Sequence, residues 1–424
     1  MNILVELLKK RFNINLSSIK NVVMDSRKVE EGSLFFAINS GNKYIDSAIN
    51  DGATLVIADN YHGDNPKVIK VKDSVLTMQE LAKEYRQKLD LTVVGITGSN
   101  GKTTTKDLIY SVLSEKYRCK KTEGNYNNHI GLPYTILQAT EKDQILILEM
   151  GMSSFGEIDR LGYISAPDFG VITNIGESHL EFLKNRENVC KAKTELLKYV
   201  SVNKTILFGD DDFLKNIPGI KIGYNPNNDF QIENLTDSEN GVTFELKDEC
   251  YSLQLNGRHN ATNAAMAIVI GKKLRLSYEE ISKGLKNLKI SSMRFEKIEK
   301  ENTLYINDAY NASPVSMFFS LETFSNLYKD REKIVVLGDM LELGDEEIKY
   351  HQDVIKKASS LDIDKIYLYG PRMKEAFETQ SYDENIKYFN NKDDIKFAIR
   401  EIPGMKAVLL KGSRGMKMEE IIEK

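Results

Sequence analysis

Residues 93–105 read Val-Val-Gly-Ile-Thr-Gly-Ser-Asn-Gly-Lys-Thr-Thr-Thr: an apolar segment, a glycine-containing turn and then Lys-Thr. This order predicts a strand, a loop and a helix that begins at the lysine. The first amides of a helix have no partner within it, and glycines let the backbone approach closely, so a phosphate binds well there. Lys102 adds a positive charge, and the Thr103 hydroxyl is placed to bind Mg²⁺ beside the phosphates. The stretch therefore predicts a nucleoside triphosphate site.

The loop departs at one position from the common phosphate-binding pattern G-x-x-x-x-G-K-[ST]. That pattern needs glycine at position 96, where this chain has Ile96, whereas Gly98 and Gly101 are retained. A strand-turn-helix connection whose glycines only make the turn is the alternative interpretation. Gly-Lys-Thr directly after an all-apolar strand is a specific arrangement, and it favours the nucleotide site.

The bulk properties of the 424 residues are those of an ordinary soluble, multidomain protein. The chain is 41% hydrophobic and 28% charged with a net charge of −4, which argues against a nucleic-acid partner. No apolar run approaches the ~18 residues of a membrane span, and residues 1–16 predict an amphipathic helix rather than a signal peptide. The spacing of the three cysteines suggests neither disulfides nor zinc. We expect a cytoplasmic location.

Strands and helices alternate in three blocks, which predict an α/β protein of three domains. Residues 1–86 contain short strands and turns and are assigned to a small N-terminal domain. Residues 87–289 contain near-continuous apolar strands separated by helical stretches, which is typical of a parallel sheet covered on both faces. A β-rich segment, 229–256, interrupts this block. Residues 290–424 repeat the alternation and predict a third α/β domain.

Glu149 and His179 of the central block lie where ligands of a parallel sheet are expected, and Lys193 follows one helical stretch later. Glu149 ends an apolar strand, and a buried carboxylate there needs a cation such as nucleotide-bound Mg²⁺; a solvated or ion-paired glutamate is the alternative. His179 follows the next strand and could bind a second metal or a phosphate, or could be an ordinary surface or core residue. The spacing of Lys193 with Lys191 and Lys198 by itself favours a solvated helix face.

Polar residues nearer the C-terminus are further candidates. Asn260 and Asn263 are spaced i, i+3 on a predicted helix, and their amides suit an adenine edge; helix capping by Asn260 is the competing role. The polar segment 307–314 follows an apolar strand and predicts a site loop, with a simple turn as the alternative. Arg294 could reach a phosphate or could lie on the surface.

Together these segments resemble the Mur ligases, the ATP-dependent amide-forming enzymes of peptidoglycan precursor synthesis. The similarity extends over nearly the whole chain and includes the three-domain order. The stretches that carry it are 25–38, 97–106, 122–133, 174–182, 257–264, 307–317, 335–347 with His351, and 409–419. The Y-N-A-S-P and L-G-D-M-L-E-L-G segments favour the member that adds D-alanyl-D-alanine. The D-N-P-R motif of the diaminopimelate-adding member is absent.

The resemblance implies a fold and a reaction. Residues 1–86 would bind the UDP-linked substrate, 87–289 would form a P-loop-type parallel-sheet ATPase domain, and 290–424 would form a Rossmann-like domain for the incoming dipeptide. The reaction would join D-alanyl-D-alanine to UDP-N-acetylmuramoyl-tripeptide through an acyl phosphate, releasing ADP and phosphate during cell-wall synthesis. The alternatives are a Mur-type ligase that adds a different amino acid, and a P-loop ATPase. We expect a monomer.

The resemblance also assigns site residues. One Mg²⁺ would be bound by Thr103 and Glu149, and a second with the help of His179, while Lys193 matches a position that carries a carbamate, an oxygen ligand for Mg²⁺. Lys102, His179, Lys193 and Asp308 form the predicted catalytic set. The predicted ATP contacts are Gly98, Ser99, Asn100, Gly101, Lys102, Thr103, Thr104, Asn260, Asn263, Arg294 and Tyr310. The predicted contacts to the UDP-linked substrate are Ser26, Arg27, Asn127 and Asn128.

Two departures from the family pattern qualify these assignments. The usual Asp-Asp before Ala-Tyr-Asn is Asn307-Asp308 here, so only Asp308 is carried over. The D-G-H that commonly follows the first-domain strands is replaced within 41–45, which read Gly-Asn-Lys-Tyr-Ile.

Overall fold

A computed structural model of the chain describes residues 2–289 and 291–422. The chain forms two compact units that interleave in sequence. The first unit contains the residues up to 97 together with 113–172 and 192–206, and the second contains 98–112, 173–191 and the residues from 207 onward. The predicted domain boundaries at 86/87 and 289/290 stay predictions, and Ile290 lies outside the described residues.

Strands and helices are numbered in chain order. The strands are β1 (Asn21–Val23), β2 (Ser33–Ala37), β3 (Ala53–Ala58), β4 (Val68–Lys70), β5 (Thr92–Thr97), β6 (Cys119–Lys121), β7 (Ile145–Glu149), β8 (Phe169–Ile172), β9 (Thr205–Phe208), β10 (Ile220–Gly223), β11 (Phe230–Ser238), β12 (Gly241–Leu246), β13 (Glu249–Leu253), β14 (Glu296–Lys300), β15 (Thr303–Asn307), β16 (Glu332–Gly338), β17 (Lys365–Tyr369), β18 (Ile386–Phe389) and β19 (Lys406–Lys411). The α-helices are α1 (Asn2–Phe12), α2 (Ile45–Asn50), α3 (Ser74–Lys88), α4 (Lys102–Leu113), α5 (Gly131–Leu137), α6 (Glu157–Ser165), α7 (Leu180–Leu183), α8 (Arg186–Thr194), α9 (Arg258–Lys273), α10 (Tyr278–Lys286), α11 (Pro314–Asn326), α12 (Glu347–Ser359), α13 (Pro371–Glu378) and α14 (Lys392–Arg400).

The N-terminal part of the first unit is a parallel sheet in the order β1-β2-β3-β4. Its apolar strand residues, such as Phe35 and Val56, pack against Ile45 and Ala48 of α2. The predicted N-terminal amphipathic helix is confirmed as α1, which buries one face and leaves basic residues in its last turn. Helix α2 was missed, because residues 45–50 are too few to show a helical repeat.

A second parallel sheet of the first unit has the strand order β8-β5-β7-β6. Val93, Val94 and Ile96 of β5 are fully buried. Successive side chains of a strand point to opposite faces of the sheet, so Val93 and Val94 are buried on different faces. Both faces of this sheet are therefore covered, as the continuous apolar strands predict. The Tyr85 hydroxyl of α3 donates a 2.8 Å hydrogen bond to the Ala139 carbonyl and ties α3 to the loop before β7.

The β-rich segment of the second unit is confirmed as the antiparallel strands β11, β12 and β13. Helix α9 packs on β11 and β12 and is buried along most of its length. Ala264 and Ile268 are among its fully buried residues. The helix predicted to carry Asn260 and Asn263 is confirmed, with Gly257 at the N-cap.

The C-terminal part of the second unit is a sheet in the order β14-β15-β19-β16-β17-β18. Strand β14 is antiparallel to β15, and the other neighbouring strands are parallel. Adjacent residues serve opposite faces: Ile306 packs in one core with α11 and α12, and Tyr305 packs in the other with α14. The predicted third α/β block is confirmed. Within residues 2–289 and 291–422, no helix is long and apolar enough to cross a membrane.

Candidate active site

The phosphate loop leads into α4, which begins at Lys102 as predicted. Gly98 has a φ of +149° and Gly101 a φ of +78°, conformations that side chains rarely adopt. A Cβ atom at Gly98 would lie 1.8 Å from Thr173 Oγ1, and one at Gly101 would lie 2.8 Å from Asn263 Oδ1. Both glycines are therefore required by the backbone conformation and by close packing.

The Lys102 ammonium lies inside the curve of this loop. Its Nζ donates to the Gly98 carbonyl at 2.7 Å and to the Ser99 carbonyl at 3.2 Å. These bonds hold the positive charge at the start of α4, where the helix dipole is positive, and this arrangement attracts a phosphate. The alternative of a mere turn does not require a lysine in this position.

The segment after β8 supports the loop, which the sequence interpretation missed. Asn174 accepts from the Ser99 amide through its carbonyl at 3.0 Å and from the Asn100 amide through its Oδ1 at 2.8 Å. The Thr173 hydroxyl donates to the Asn100 carbonyl, and the Gly176 amide donates to Ser99 Oγ at 2.8 Å. The available signal was the polar run directly after an apolar strand.

Arg294 contacts two other predicted site residues. Its Nη2 donates to Thr103 Oγ1 at 2.8 Å, and its guanidinium lies 4.2 Å from the centroid of the Tyr310 ring. A guanidinium over an aromatic face is held by electrostatic attraction. Arg294 therefore lies beside α4, and the alternative interpretation of Arg294 as an exposed surface residue is wrong.

Asn260 and Asn263 share a buried face of α9, as their spacing predicts. Asn263 Nδ2 donates to Asn260 Oδ1 at 3.3 Å, and Asn260 Nδ2 donates to the Asn256 carbonyl at 2.7 Å. Gly257, not Asn260, is the N-cap, so the capping alternative is wrong. The approach of Asn263 to Gly101 brings this pair to the phosphate loop.

Asp308 directly follows β15, is half-buried, and forms an ion pair with the buried Lys411. Lys411 Nζ lies 2.6 Å from Asp308 Oδ2, and the Ser320 hydroxyl donates to the same oxygen at 2.5 Å. The Phe295 amide donates to Oδ1 at 3.2 Å. The segment around Lys411 was part of the family resemblance, but its lysine was not predicted as the partner of Asp308.

His179 adopts an unusual backbone conformation, with a φ of +55°. Its Nδ1 lies 2.8 Å from Glu342 Oε2, and the imidazole lowers the pKa of the Glu342 carboxyl. Glu342 also has a positive φ, of +63°. Two unfavourable conformations that place two side chains in contact are typical of a functional loop. The predicted metal role of His179 stays a prediction.

In the first unit, Glu149 and Asn127 are hydrogen-bonded to each other. Glu149 is 4% exposed at the end of β7, and Asn127 Nδ2 donates to its Oε1 at 2.9 Å. The solvated alternative for Glu149 is therefore wrong. Asn128 Oδ1 accepts from the amides of Ile130 and Gly131 at the start of α5. Asn127 and Asn128 are thus fixed in place at one end of this sheet.

Lys193 is 1% exposed near the end of α8, whereas Lys191 and Lys198 are exposed. The solvated-face interpretation is correct for those two neighbours and wrong for Lys193. A buried ammonium is costly unless it is paired or chemically changed. The predicted carbamate on Lys193 stays a prediction.

Ser26 and Arg27 lie in a short 3₁₀ helix, Ser26–Lys28, after β1. Asp25 caps it by accepting from the Arg27 amide and guanidinium, and this contact lowers the pKa of Asp25 to about 2. The Arg27 side chain is 87% exposed, so it is accessible to a ligand.

The second unit thus brings together the phosphate loop, Asn263, Arg294 and Tyr310, with Asp308 two residues from Tyr310. Among the described residues, no group of three or more His, Cys, Asp and Glu side chains could hold a metal ion. The predicted set has one glutamate and one histidine, and it depends on the Thr103 hydroxyl and a modified Lys193 for its other ligands. Carboxylate, hydroxyl and carbamate oxygens are ligands that suit Mg²⁺.

Comparison with known protein families matches two stretches that together cover most of the chain. Residues 96–271 match the Mur ligase middle domain, and residues 293–414 match the glutamate ligase domain of Mur ligases. A Bacillus subtilis protein is 38% identical, with 96% of this chain and 93% of the relative covered. The chain belongs to the Mur ligase family. That relative is named UDP-N-acetylmuramoyl-tripeptide–D-alanyl-D-alanine ligase, and so is a Borreliella burgdorferi protein, 30% identical over 99% of this chain and 98% of its own.

Solved structures of Mur ligases have the same fold as this chain. A MurF crystal structure from Acinetobacter baumannii has a TM-score of 0.89 and 27% identity and covers 99% of this chain and 97% of its own. MurF from Thermotoga maritima in complex with ADP has a TM-score of 0.85 and 28% identity and covers 100% and 97%. The predicted α/β class is confirmed.

Proposed function

We propose that this chain is the ADP-forming Mur ligase that joins D-alanyl-D-alanine to UDP-N-acetylmuramoyl-tripeptide in peptidoglycan precursor synthesis. The observation that carries the proposal is the end-to-end similarity to relatives of that name, at 38% and 30% identity. The phosphate loop, with Arg294 and Asn263 beside it, supplies the nucleotide site that such a ligase needs. A ligase that adds D-alanyl-D-alanine to the tripeptide must activate the tripeptide carboxylate, which is a poor electrophile. It uses ATP to convert this carboxylate into an acyl phosphate.

The proposed reaction has two steps. A carboxylate oxygen of the tripeptide attacks the γ-phosphorus of ATP, and ADP leaves with the electrons of the broken P–O bond. The free amine of the dipeptide then attacks the acyl carbon, loses a proton, and phosphate leaves. Lys102 and the Gly98–Thr104 backbone hold the phosphates, Arg294 and Tyr310 position the nucleotide, and Asn260 and Asn263 face the base.

For the metal, we propose that Thr103 and Glu149 bind one Mg²⁺ and that His179 and carbamylated Lys193 contribute to a second. Bound Mg²⁺ neutralises phosphate charge during phosphoryl transfer. The burial of Glu149 and Lys193 supports these assignments. On the substrate side, we propose that Ser26, Arg27, Asn127 and Asn128 contact the UDP-linked tripeptide.

A monomer in the cytoplasm completes the proposal. ATP and a nucleotide-linked substrate are both cytoplasmic metabolites, which supports this location. The oligomeric state is testable by sedimentation velocity with and without substrates, and a dimer at micromolar concentration would contradict the monomer.

The function is tested by ATP-dependent phosphate release from the purified protein with UDP-N-acetylmuramoyl-tripeptide. D-Alanyl-D-alanine is compared with L-lysine, diaminopimelate and D-glutamate as the amine. We expect phosphate release only when the tripeptide and D-alanyl-D-alanine are both present. Turnover with another amine but not with D-alanyl-D-alanine would assign a different Mur ligase reaction, and hydrolysis with neither substrate would indicate an ATPase.

The carbamate is tested by replacing the buried lysine. We predict that Lys193→Ala lowers kcat by about 100-fold or more, because an oxygen ligand beside the phosphates is lost. A short-chain carboxylate such as acetate should restore part of the rate. The matched control is Lys191→Ala, two residues away and exposed, which should keep full activity. Undiminished turnover in Lys193→Ala would remove the carbamate from the proposal.

A further inference from the structure

The segment 291–295, which we call the connecting segment, lies just before β14 and contacts α4 at two points. Arg294 Nη2 donates to Thr103 Oγ1 at 2.8 Å. One helical turn further along α4, Asp107 Oδ2 accepts from both the amide and the hydroxyl of Ser291, at 3.1 and 2.7 Å. Thr103 and Asp107 are spaced i, i+4, so they present their side chains on one face of α4.

Asp107 is a costly residue to place there. It is 1% exposed, and the Nζ of the equally buried Lys106 lies 3.6 Å from its Oδ1. A buried carboxylate is tolerated only where charge and hydrogen bonds compensate for the lost hydration. The two donors from Ser291 contribute to that compensation, and they hold the connecting segment to α4.

The same segment also holds the loop that follows β15. The Phe295 amide donates to Asp308 Oδ1, and the Met293 carbonyl accepts from the Tyr310 amide at 3.2 Å. The Arg294 guanidinium lies over the Tyr310 ring. A displacement of the connecting segment would therefore move Arg294 and the predicted nucleotide contacts of this loop together.

We propose that Asp107 is a positioning residue for nucleotide binding: by holding Ser291, it places Arg294 at Thr103 and at the end of the phosphate loop. Asp107 does not touch the nucleotide and acts through Arg294. The inference rests on the proposed use of ATP, and it adds a residue deep in α4 to the determinants of nucleotide affinity. The two bonds from Ser291 make the placement sensitive to the Asp107 side chain itself.

The test is a double-mutant cycle on ADP affinity in the full chain, measured by titration calorimetry with Mg²⁺. We expect Asp107→Ala to weaken ADP binding about tenfold, since a small misplacement of a binding group has effects of this size or larger. In the Arg294→Ala background, Asp107→Ala should weaken binding less than twofold further, because its effect passes through Arg294. Asp107→Asn should largely restore affinity, since its amide oxygen can accept both Ser291 bonds.

A structural readout and a control variant separate positioning from general destabilisation. Hydrogen exchange of the peptide that contains Ser291 should be faster in Asp107→Ala. The control is Asp364→Ala, which also removes a carboxylate bound to a backbone amide, that of Lys333. It should lower the thermal midpoint without changing ADP affinity.

The outcomes distinguish this inference from the proposed function. Unchanged ADP affinity in Asp107→Ala, fully additive effects with Arg294→Ala, or no ADP binding by the natural chain would overturn the positioning role. A natural chain that binds ADP but joins no peptide would contradict the proposed function. The double-mutant cycle would still test the positioning role, because it measures ADP affinity alone. The expected result is coupling between Asp107 and Arg294 together with ligase turnover.

Discussion

At the scale of single residues, the site depends on positions whose chemistry no other residue supplies. Gly98 adopts a conformation that side chains rarely adopt and faces Thr173 without space for a Cβ. Lys193 is buried where a lysine is costly, and His179 holds a left-handed conformation against Glu342. Such locally unfavourable conformations and environments are common at sites that bind a ligand.

Gly98 allows a direct test of the loop geometry. We predict that Gly98→Ala abolishes ATP turnover. The added Cβ would lie 1.8 Å from Thr173 Oγ1, so it must displace either the phosphate loop or the residues that follow β8. The control is Gly404→Ala, whose φ is +81° but whose Cβ meets nothing within 4 Å. The control should lose about 1 kcal/mol of stability and no activity. Steady-state phosphate release and urea unfolding of both variants decide the point, and an active Gly98→Ala would refute the packing argument.

At the scale of secondary-structure elements, helix N-termini carry much of the predicted site. Helix α4 begins at Lys102 and faces the phosphate position, and α9 begins at Arg258 with the asparagine pair in its first two turns. The second residue of α9 is His259, whose ring stacks on Phe319 with centroids 5.3 Å apart. Burial lowers the pKa of His259 to about 4, so the imidazole is neutral in the folded protein.

The depressed pKa of His259 predicts a pH dependence of stability. Between its ordinary value near 6.5 and about 4, the unfolded chain binds a proton that the folded chain does not. Stability from this residue is therefore complete above pH 6.5 and is lost as pH falls toward 4, by about 3 kcal/mol in total. Urea unfolding at pH 7 and pH 5 should show a smaller loss in His259→Phe than in the natural chain. Equal losses in the two proteins would assign the acid sensitivity to other groups.

At the scale of the whole molecule, the predicted nucleotide contacts come from segments spread over more than 200 residues, from Gly98 to Tyr310. A ligand held by such distant segments binds only the folded chain and raises its unfolding free energy, by about 2.7 kcal/mol at a concentration 100 times Kd.

We therefore predict that ADP with Mg²⁺ raises the thermal midpoint of the protein. Lys102→Ala should remove most of this rise, because the ammonium that faces the phosphates is lost while the loop glycines remain. Differential scanning calorimetry over a range of ADP concentrations measures the effect. An equal shift in Lys102→Ala and the natural chain would show that ADP binds elsewhere.

Much of the fold could be predicted because its signals are local. Strand β5, the glycine turn and the start of α4 lie within 93–105, and their residues dictate their own backbone conformations. Apolar strands such as 145–149 indicated a sheet covered on both faces, since no polar face was available for solvent. The pair Asn260 and Asn263 could be placed on one helix face from spacing alone. Each of these inferences needs only neighbours within a few residues.

The sequence by itself determined the phosphate loop, the parallel α/β architecture and, through its motifs, the family. Only the tertiary structure decided that Lys193 is buried, that Lys411 neutralises Asp308 across 103 residues, and that Asp107 holds Ser291 across 184. The physical reason is that backbone conformation and hydrophobic periodicity are short-range properties. Burial and the choice of a charge partner depend on which distant segments the folded chain brings into contact.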